Sequence, residues 1–160
     1  MSPEEYNKCV DNYADGLYRF ALKIMNDMDM AKDIVQESFE RLWMHRKTIE
    51  MQKSKSYIFT VAHNLMMDKK RKYKLFEKYS HETFDNTYEH QYSDLNELLH
   101  RAIERLPDVQ KSVLLLRDYE GYSYGEIENI TGLTLAQVKI YIYRARLQMR
   151  QYIKSIDAVI

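Results

Sequence analysis

The sequence predicts an all-α protein with two small helical domains, at residues 1–78 and 94–160, joined by an acidic flexible linker at residues 79–93. The apolar residues mostly recur every three or four positions, which is the period of an amphipathic helix. Only four glycines and two prolines occur among the 160 residues, so few positions favour the tight turns of β-hairpins. The helical period disappears between residues 79 and 93, where the chain is polar and acidic, and this loss predicts the linker.

Three helices are expected in the first domain. An apolar stripe predicts the first, and a second covers residues 31–46 after an Asp-rich turn. A loop at residues 48–54 precedes the third helix, which runs into the basic block at residues 69–72. The residues expected to face the core are Tyr6, Val10, Tyr13, Leu17, Phe20, Ala21, Ile24, Ala31, Ile34, Val35, Phe39, Leu42, Trp43, Ile58, Val61, Ala62 and Leu65.

Capping signals divide the second domain into helices. A Ser, Thr or Asp is followed three residues later by Glu or Gln at Asp94, Ser123 and Thr134, and Pro107 ends the first of these helices. A further helix is expected over residues 109–118. A short helix, a turn that contains Gly132 and a long basic helix together predict a helix-turn-helix. The core positions expected in the first helix are Leu95, Leu98, Leu99, Ala102, Ile103 and Leu106.

The last helix has two different faces at 100° per residue. The expected core face consists of Leu135, Val138, Ile142, Ala145 and Met149. The opposite face consists of Ala136, Ile140, Tyr143, Arg144 and Leu147, flanked by Lys139, Arg150 and Lys154. Apolar groups that point away from a core need a partner, and the major groove of duplex DNA meets that need. Arg144 suits a guanine edge and Ile140 a thymine methyl group, while Lys139, Arg146, Arg150 and Lys154 suit phosphates. The alternative is a solvated basic face on a structural helix.

Two further surfaces are expected in the first domain. Asp33, Glu37 and Glu40 form an acidic stripe, which either a basic partner or bulk water with Arg41 would compensate. Along the third helix, aromatic, amide and cationic groups share one side: Tyr57, Thr60, Asn64, Met67, Arg71 and Lys74. This mixture is typical of surfaces that bind unpaired bases. The alternative is a half-buried Tyr57 followed by a solvated helix end.

The distribution of charge favours a nucleic-acid partner although the net charge is zero. Residues 61–80 carry six Lys or Arg against two Asp or Glu, and residues 129–160 carry five against one. Between them, residues 81–108 carry two basic residues against seven acidic ones. The sequence has no apolar run of membrane-spanning length and no apolar leader, so we expect a cytoplasmic protein without membrane insertion. The one cysteine, Cys9, has no partner for an internal disulfide.

Two other function classes fit parts of the pattern. One is a stand-alone helix-turn-helix repressor or activator, whose first half dimerises or senses a ligand. The other is a helical metalloenzyme, because Glu97 and His100 have the spacing of a di-iron motif. Such bundles need that motif twice and two further glutamates, and here the motif occurs once. We therefore expect no bound metal and no cofactor.

Taken together, the motifs resemble the extracytoplasmic-function group of the sigma-70 family. Residues 17–21, 31–39 and 42–43 are similar to regions 2.1 and 2.2, and residues 61–64 with Asp68 and the basic run are similar to regions 2.3 and 2.4. Residues 106–117 and 120–124 resemble region 4.1, and residues 138–139 and 143–146 resemble region 4.2. The resemblance implies an alternative sigma factor that directs promoter recognition, DNA melting and transcription initiation, and that is not itself an enzyme.

The resemblance also implies partners and site residues. The partners are core RNA polymerase, promoter DNA in duplex and single-stranded form, and an anti-sigma factor. Polymerase binding is assigned to Asp33, Gln36 and Glu37. Minus-ten DNA binding is assigned to Tyr57, Thr60, Asn64, Lys69, Lys70 and Arg71, with the loop at residues 48–56. Minus-thirty-five DNA binding is assigned to Arg117, Tyr124, Gln137, Lys139, Ile140, Tyr143, Arg144 and Arg146. In the linker, Glu82, Asp85 and Glu89 are expected to thread the RNA channel of the polymerase.

Overall fold

A computed structural model describes residues 1–80 and 94–157, and all the regular structure in these ranges is helical. This confirms the predicted all-α class. The helices are α1 (Pro3–Met25), α2 (Met28–Met44), α3 (Met51–Ser80), α4 (Asp94–Glu104), α5 (Asp108–Leu114), α6 (Tyr124–Thr131) and α7 (Leu135–Asp157). A π-helical turn, Leu115–Tyr119, continues α5.

The chain divides into two compact units. In the N-terminal unit, α1, α2 and α3 each pack against the other two. In the C-terminal unit, α4 and α5 both pack against α7. None of the helices described is both long and apolar enough to cross a lipid bilayer.

Local sequence signals set the ends of the first two helices. The Ser2 hydroxyl accepts a hydrogen bond from the Glu5 amide at 3.2 Å, and the Glu5 carboxylate accepts one from the Ser2 amide at 2.9 Å, so a capping box starts α1. Asn26 ends α1 in the left-handed conformation, with φ of 53°. The Asp27 carboxylate then accepts a hydrogen bond from the Met30 amide and starts α2. These caps allow α2 to begin at Met28, three residues earlier than the apolar pattern predicts.

The core of the N-terminal unit consists of one face from each helix. Phe20 of α1 and Phe59 of α3 are buried, and their ring centroids lie 5.6 Å apart in a tilted contact. Most of the predicted core positions are buried or half-buried, which confirms the helical period there. Trp43 is an exception, because 39% of it is exposed at the end of α2. Its ring lies 4.9 Å from that of Tyr6 and 3.8 Å from the Arg46 guanidinium carbon, so neighbouring side chains cover it only in part.

Both ends of α3 differ from the helix bounds that the sequence pattern predicts. The loop before α3 ends at Glu50 because α3 begins at Met51, so most of the loop expected at residues 48–54 is helical. Helix α3 also continues to Ser80, which is two residues into the predicted linker. The rest of the predicted linker, residues 81–93 with its three acidic positions, lies outside the described residues.

The C-terminal unit contains the predicted helix-turn-helix. A capping box at Ser123 and Glu126 starts α6, and Gly132 ends it with φ of 75°, a value that favours glycine. The short connection at residues 132–134 leads directly into α7. Leu114, Ile127 and Val138 are among the buried residues from α5, α6 and α7.

Two predicted core residues of this unit are exposed instead. Leu95 is 65% exposed and Leu135 is 41% exposed. Each lies in the first turn of its helix, at the end of the stripe. The 3.6-residue period predicts which side of a helix faces the core, but not how far along the helix the core extends.

Candidate nucleic-acid interface

Helix α7 presents a partly apolar face to solvent. Val138, Ile142 and Ala145 are buried on its inner side, as predicted. On the opposite side, which we call the reading face, lie Ala136, Ile140, Tyr143, Arg144 and Leu147, and all five are exposed. Ile140 is 41% and Tyr143 is 63% exposed, so large apolar groups accompany the cations there. A solvated structural helix has no need of such groups.

The start of α7 is closed by a reciprocal cap. The Gln137 side-chain oxygen accepts a hydrogen bond from the Thr134 amide at 2.9 Å, and the Thr134 hydroxyl accepts one from the Gln137 amide at 3.2 Å. This confirms the predicted capping box. Because its oxygen is used in the cap, Gln137 has its side-chain NH₂ group left as a hydrogen-bond donor for a ligand.

Three of the predicted DNA-binding residues meet around one aromatic ring. The Arg117 guanidinium carbon lies 4.5 Å from the centroid of the Tyr124 ring, and the Lys139 ammonium lies 5.9 Å from the same centroid. Arg117 also donates a hydrogen bond to the Tyr122 carbonyl at 2.9 Å. Both cations are within the range of cation–π attraction, which fixes Tyr124 beside the start of the reading face.

Arg146 is held by an acidic residue that the sequence pattern did not single out. Its Nε and Nη2 atoms donate hydrogen bonds to the two carboxylate oxygens of Asp118, at 3.0 and 2.6 Å. This bidentate pair raises the pKa of the Arg146 guanidinium further, mainly through the hydrogen bonds. Asp118 lies in the π-helical turn, where the 3.6-residue period does not indicate the direction of a side chain.

A shallow groove of about 410 Å³ runs along this part of the C-terminal unit. Its lining is aromatic, apolar and cationic: Tyr124, Lys139, Ile142, Tyr143, Arg146, Leu147 and Arg150. The structure therefore places five of the eight residues predicted to bind the minus-thirty-five element at this groove: Tyr124, Lys139, Tyr143 and Arg146 line it, and Arg117 contacts the ring of Tyr124. The other three, Gln137, Ile140 and Arg144, are exposed on α7 outside the groove lining.

On the predicted base-binding side of α3, some polar side chains already have partners within the protein and others are exposed. The Thr60 hydroxyl donates to the Ser56 carbonyl at 2.7 Å, and Arg71 forms an ion pair with Asp68. Tyr57 is half-buried, with its ring 6.5 Å from that of His45. Lys69 and Lys70 are also half-buried, whereas Asn64 is exposed. The side-chain amide of Asn64 is thus the group of this set best placed to reach a base.

His63, the residue before Asn64, lies in the core of the N-terminal unit. It is buried, and this burial lowers its pKa to about 4, against a smaller opposing effect of the Asn64 side chain. The imidazole is therefore neutral at pH 7. Sequence reasoning missed this residue, because a histidine within an apolar period gives no signal of its burial.

The acidic stripe of α2 is partly compensated by its own helix. Arg41 donates to the Glu37 carboxylate at 2.8 Å, and Gln36 donates to Glu40 at 3.1 Å. Asp33 and Gln36 are exposed, and the Glu37 side chain is 41% exposed. All three residues predicted to bind the polymerase are therefore open to a partner, although Glu37 already has a neighbouring cation.

The structure offers no support for a metal centre. Glu97 pairs with Arg101, and His100 lies 2.9 Å from the Glu104 carboxylate, so each residue of the di-iron spacing has another partner on α4. In the part of the chain that the structure describes, no cluster of three His, Cys, Asp or Glu side chains could hold a metal ion.

Known proteins show similarity over both units. A family model described as Sigma-70 region 2 matches residues 9–75, and one described as Sigma-70, region 4 matches residues 96–149. The RNA polymerase sigma factor SigV of Bacillus subtilis is 31% identical over 146 residues, which cover 89% of this chain and 87% of that protein. The ECF RNA polymerase sigma factor SigM of the same organism is 28% identical over 145 residues, covering 86% of this chain and 88% of that protein.

Two solved structures share the fold. The sigma factor RpoE of Bartonella quintana, in complex with the anti-sigma factor NepR, has a TM-score of 0.81 at 24% identity, over 94% of this chain and 98% of that one. CnrH in complex with the cytosolic domain of CnrY has a TM-score of 0.70 at 17% identity, over 94% of this chain and 88% of that one.

Proposed function

The chain belongs to the sigma-70 family of RNA polymerase sigma factors, in its extracytoplasmic-function group, and on that premise we propose how its surfaces divide the work of promoter recognition. It is an alternative sigma factor, which binds core RNA polymerase and directs promoter recognition, DNA melting and transcription initiation. We propose that it acts in the cytoplasm and makes or breaks no covalent bond itself, because catalysis belongs to the polymerase.

The C-terminal unit, in this proposal, reads the minus-thirty-five duplex. The reading face of α7 enters the major groove, where Arg144 donates two hydrogen bonds to a guanine and Ile140 contacts a thymine methyl group. Tyr143 and the side-chain NH₂ of Gln137 add contacts at the edges. Lys139 and Arg117 neutralise phosphates while they hold Tyr124 in place, at 5.9 and 4.5 Å from its ring.

The N-terminal unit binds the opened minus-ten element. Asn64 hydrogen-bonds an unstacked base, and Tyr57 supplies an aromatic surface beside it. Lys69, Lys70 and Arg71 neutralise the backbone of the same strand. Thr60 shapes this surface from within the helix, since its hydroxyl is bonded to Ser56. The binding energy of these contacts offsets the few kcal/mol that unstacking costs.

Polymerase binds at the acidic stripe. Asp33, Gln36 and Glu37 lie on the exposed side of α2, and a basic surface of the polymerase would remove the repulsion among the carboxylates. The proposed domain limits are residues 1–78 and 94–160. The acidic segment at residues 79–93 would then occupy the RNA channel, where Glu82, Asp85 and Glu89 imitate the charge of RNA.

An anti-sigma factor is the proposed regulator. The support is that RpoE of Bartonella quintana, which shares this fold, was solved in complex with the anti-sigma factor NepR. A partner of this kind would bind the free chain and keep it from core polymerase.

The observation that carries the proposal is the exposed apolar and cationic reading face of α7 in a chain whose two halves both match sigma-70 models. The test is transcription in vitro with core polymerase, with and without the chain, followed by mapping of the transcript starts. We expect a distinct set of starts that requires the chain. A chain that binds duplex operators as a dimer and leaves the starts unchanged would instead be the stand-alone repressor or activator.

A further inference from the structure

We propose that Asp118 is a specificity-determining residue, which holds Arg146 in an ion pair and so withholds one cation of the DNA-binding groove from the phosphates of non-promoter DNA. The inference rests on the proposed function, in which this groove receives the minus-thirty-five duplex. Asp118 is not among the residues predicted to bind DNA, whereas Arg146 is, and the pair limits the contacts that Arg146 makes with DNA.

The guanidinium of Arg146 and the carboxylate of Asp118 form a bidentate ion pair. Arg146 uses Nε and Nη2, and Asp118 uses both oxygens, at 3.0 and 2.6 Å. Two parallel charge-assisted hydrogen bonds fix the plane of the guanidinium as well as its position. A phosphate that approaches Arg146 from the groove therefore finds its most favourable bidentate edge already occupied.

The exposure of the pair argues against a purely structural task. The Arg146 side chain is 46% exposed and that of Asp118 is 34% exposed. Ion pairs this open to solvent contribute little to stability, because water screens the attraction. Yet Arg146 lies in the groove lining together with Lys139 and Arg150, where a third unpaired cation would strengthen attraction to any phosphate backbone.

The backbone places Asp118 for this task. In the π-helical turn, the Glu120 amide bonds to the Leu115 carbonyl at 3.0 Å, five residues back, which widens the turn. Two consecutive residues of opposite charge in this turn therefore contact the same interface. Arg117 lies over the Tyr124 ring, and Asp118 accepts hydrogen bonds from Arg146. Turns of this kind inside α-helices occur frequently at functional sites.

The consequence is a difference between promoter and other DNA. On non-promoter duplex, contact with Arg146 requires that the pair with Asp118 be broken, and no base contact compensates for this. On the promoter, contacts from Arg144 and its neighbours hold the duplex in register, so a phosphate held there can replace Asp118. The pair thus lowers affinity for competing DNA more than affinity for the promoter.

The experiment measures binding of the full chain to a fluorescent duplex without a promoter, between 50 and 200 mM salt. Five proteins are compared: wild type, Asp118→Asn, Arg146→Gln, the double variant, and Glu128→Gln as a matched loss of one negative charge on the same unit. Each phosphate contact contributes about 0.9 to the slope of log affinity against log salt. We expect Asp118→Asn to bind more tightly at 50 mM and to lose about 3.5-fold more affinity than wild type across this range.

Arg146→Gln and Glu128→Gln are expected to keep the wild-type slope, and the double variant should return to it. If Asp118→Asn lowered the Tm but left the slope of log affinity against log salt unchanged, the pair would serve stability alone and the proposal would be overturned. A reduced salt slope in Arg146→Gln would also overturn it. So would a salt slope that rises in Glu128→Gln by as much as in Asp118→Asn. Failure of the proposed function is distinguishable, because then the Arg144→Ala holoenzyme would start transcription as wild type does.

Discussion

Arg144 and Arg146 lie two positions apart on α7 and have the same charge, yet their surroundings differ. Arg146 is fixed by Asp118, whereas Arg144 is exposed on the reading face, with no intramolecular hydrogen bond or ion pair among residues 1–80 and 94–157. A guanidinium without a partner retains both of its bidentate edges for a base. The charge pattern alone does not separate the two residues, since Asp118 is distant in sequence and lies in a π-helical turn.

Arg144→Ala should therefore weaken promoter recognition at one base step, by roughly 1–3 kcal/mol if both hydrogen bonds to a guanine are lost. The measurement is transcription by the holoenzyme from a set of promoters with single base changes in the minus-thirty-five element. Lys154→Ala is the control, because loss of a phosphate contact weakens all the promoters about equally. An equally uniform loss in Arg144→Ala would reduce Arg144 to a phosphate contact.

His63 links the stability of the N-terminal unit to pH. Its pKa is about 4 when folded, against an ordinary value of 6.5, because burial disfavours the charged form. The unfolded chain thus binds the proton more readily between these values, so the stability is fully present above about pH 6.5 and is lost as the pH falls towards 4. From pH 7.5 to 5.0 this group alone should lower the free energy of unfolding by about 2 kcal/mol.

Urea unfolding followed by the fluorescence of Trp43, the one tryptophan, reports on the same unit. His63→Met removes the titration, so the difference in unfolding free energy between wild type and variant should change by about 2 kcal/mol between the two pH values. A difference that stays constant with pH would show that the pKa of His63 is the same in the folded and unfolded states. Since His63 is adjacent to Asn64 and interacts with its side chain, the same loss of stability should weaken minus-ten binding at low pH.

At the scale of the helices, the sequence predicts those helix ends that are set by residues close together in the chain. The caps at Ser123 and Thr134 are found as expected, because each depends on two residues three positions apart. The start of α3 at Met51 was missed, since it carries no Ser, Thr, Asp or Asn cap of the usual kind. The π-helical turn was also missed, because a five-residue hydrogen bond has no composition of its own. The reading face was predictable and the pair that restrains it was not.

On α2 the acidic stripe leads to a test of polymerase binding. Glu37→Lys reverses a charge whose side chain is 41% exposed and whose ion pair with Arg41 is a surface pair of small energy, so the fold should persist. Repulsion from Arg41 should cost only a few tenths of a kcal/mol. We expect the variant to keep the far-ultraviolet circular dichroism of wild type and to lose co-purification with core polymerase.

Asp11→Lys, a charge reversal at an exposed position of α1, is the matched control and should co-purify normally. Retention of polymerase by Glu37→Lys would remove Glu37 from the binding surface. Loss of polymerase by both variants would indicate that the overall charge of the unit, rather than the stripe, attracts the partner.

Over the whole molecule, the net charge of zero conceals two basic segments of similar size, one in each unit. Each alone releases few counterions from DNA, because a short basic segment neutralises few phosphates. The acidic residues elsewhere in the chain oppose a general attraction to nucleic acid. A chain of this kind is suited to binding DNA only when a larger assembly presents both units to it at once.

The free chain should therefore bind promoter duplex at physiological salt no more tightly than typical non-specific complexes, with Kd on the order of 10⁻⁴ to 10⁻⁶ M. Addition of core polymerase should lower the Kd for the promoter by a factor on the order of 10² or more. The reason is that two linked contacts bind more strongly than either contact alone. Fluorescence anisotropy with promoter and scrambled duplexes, each with and without core polymerase, makes the comparison. Tight and sequence-specific binding by the free chain would contradict the idea that polymerase must join the two surfaces, and would favour a regulator that acts alone.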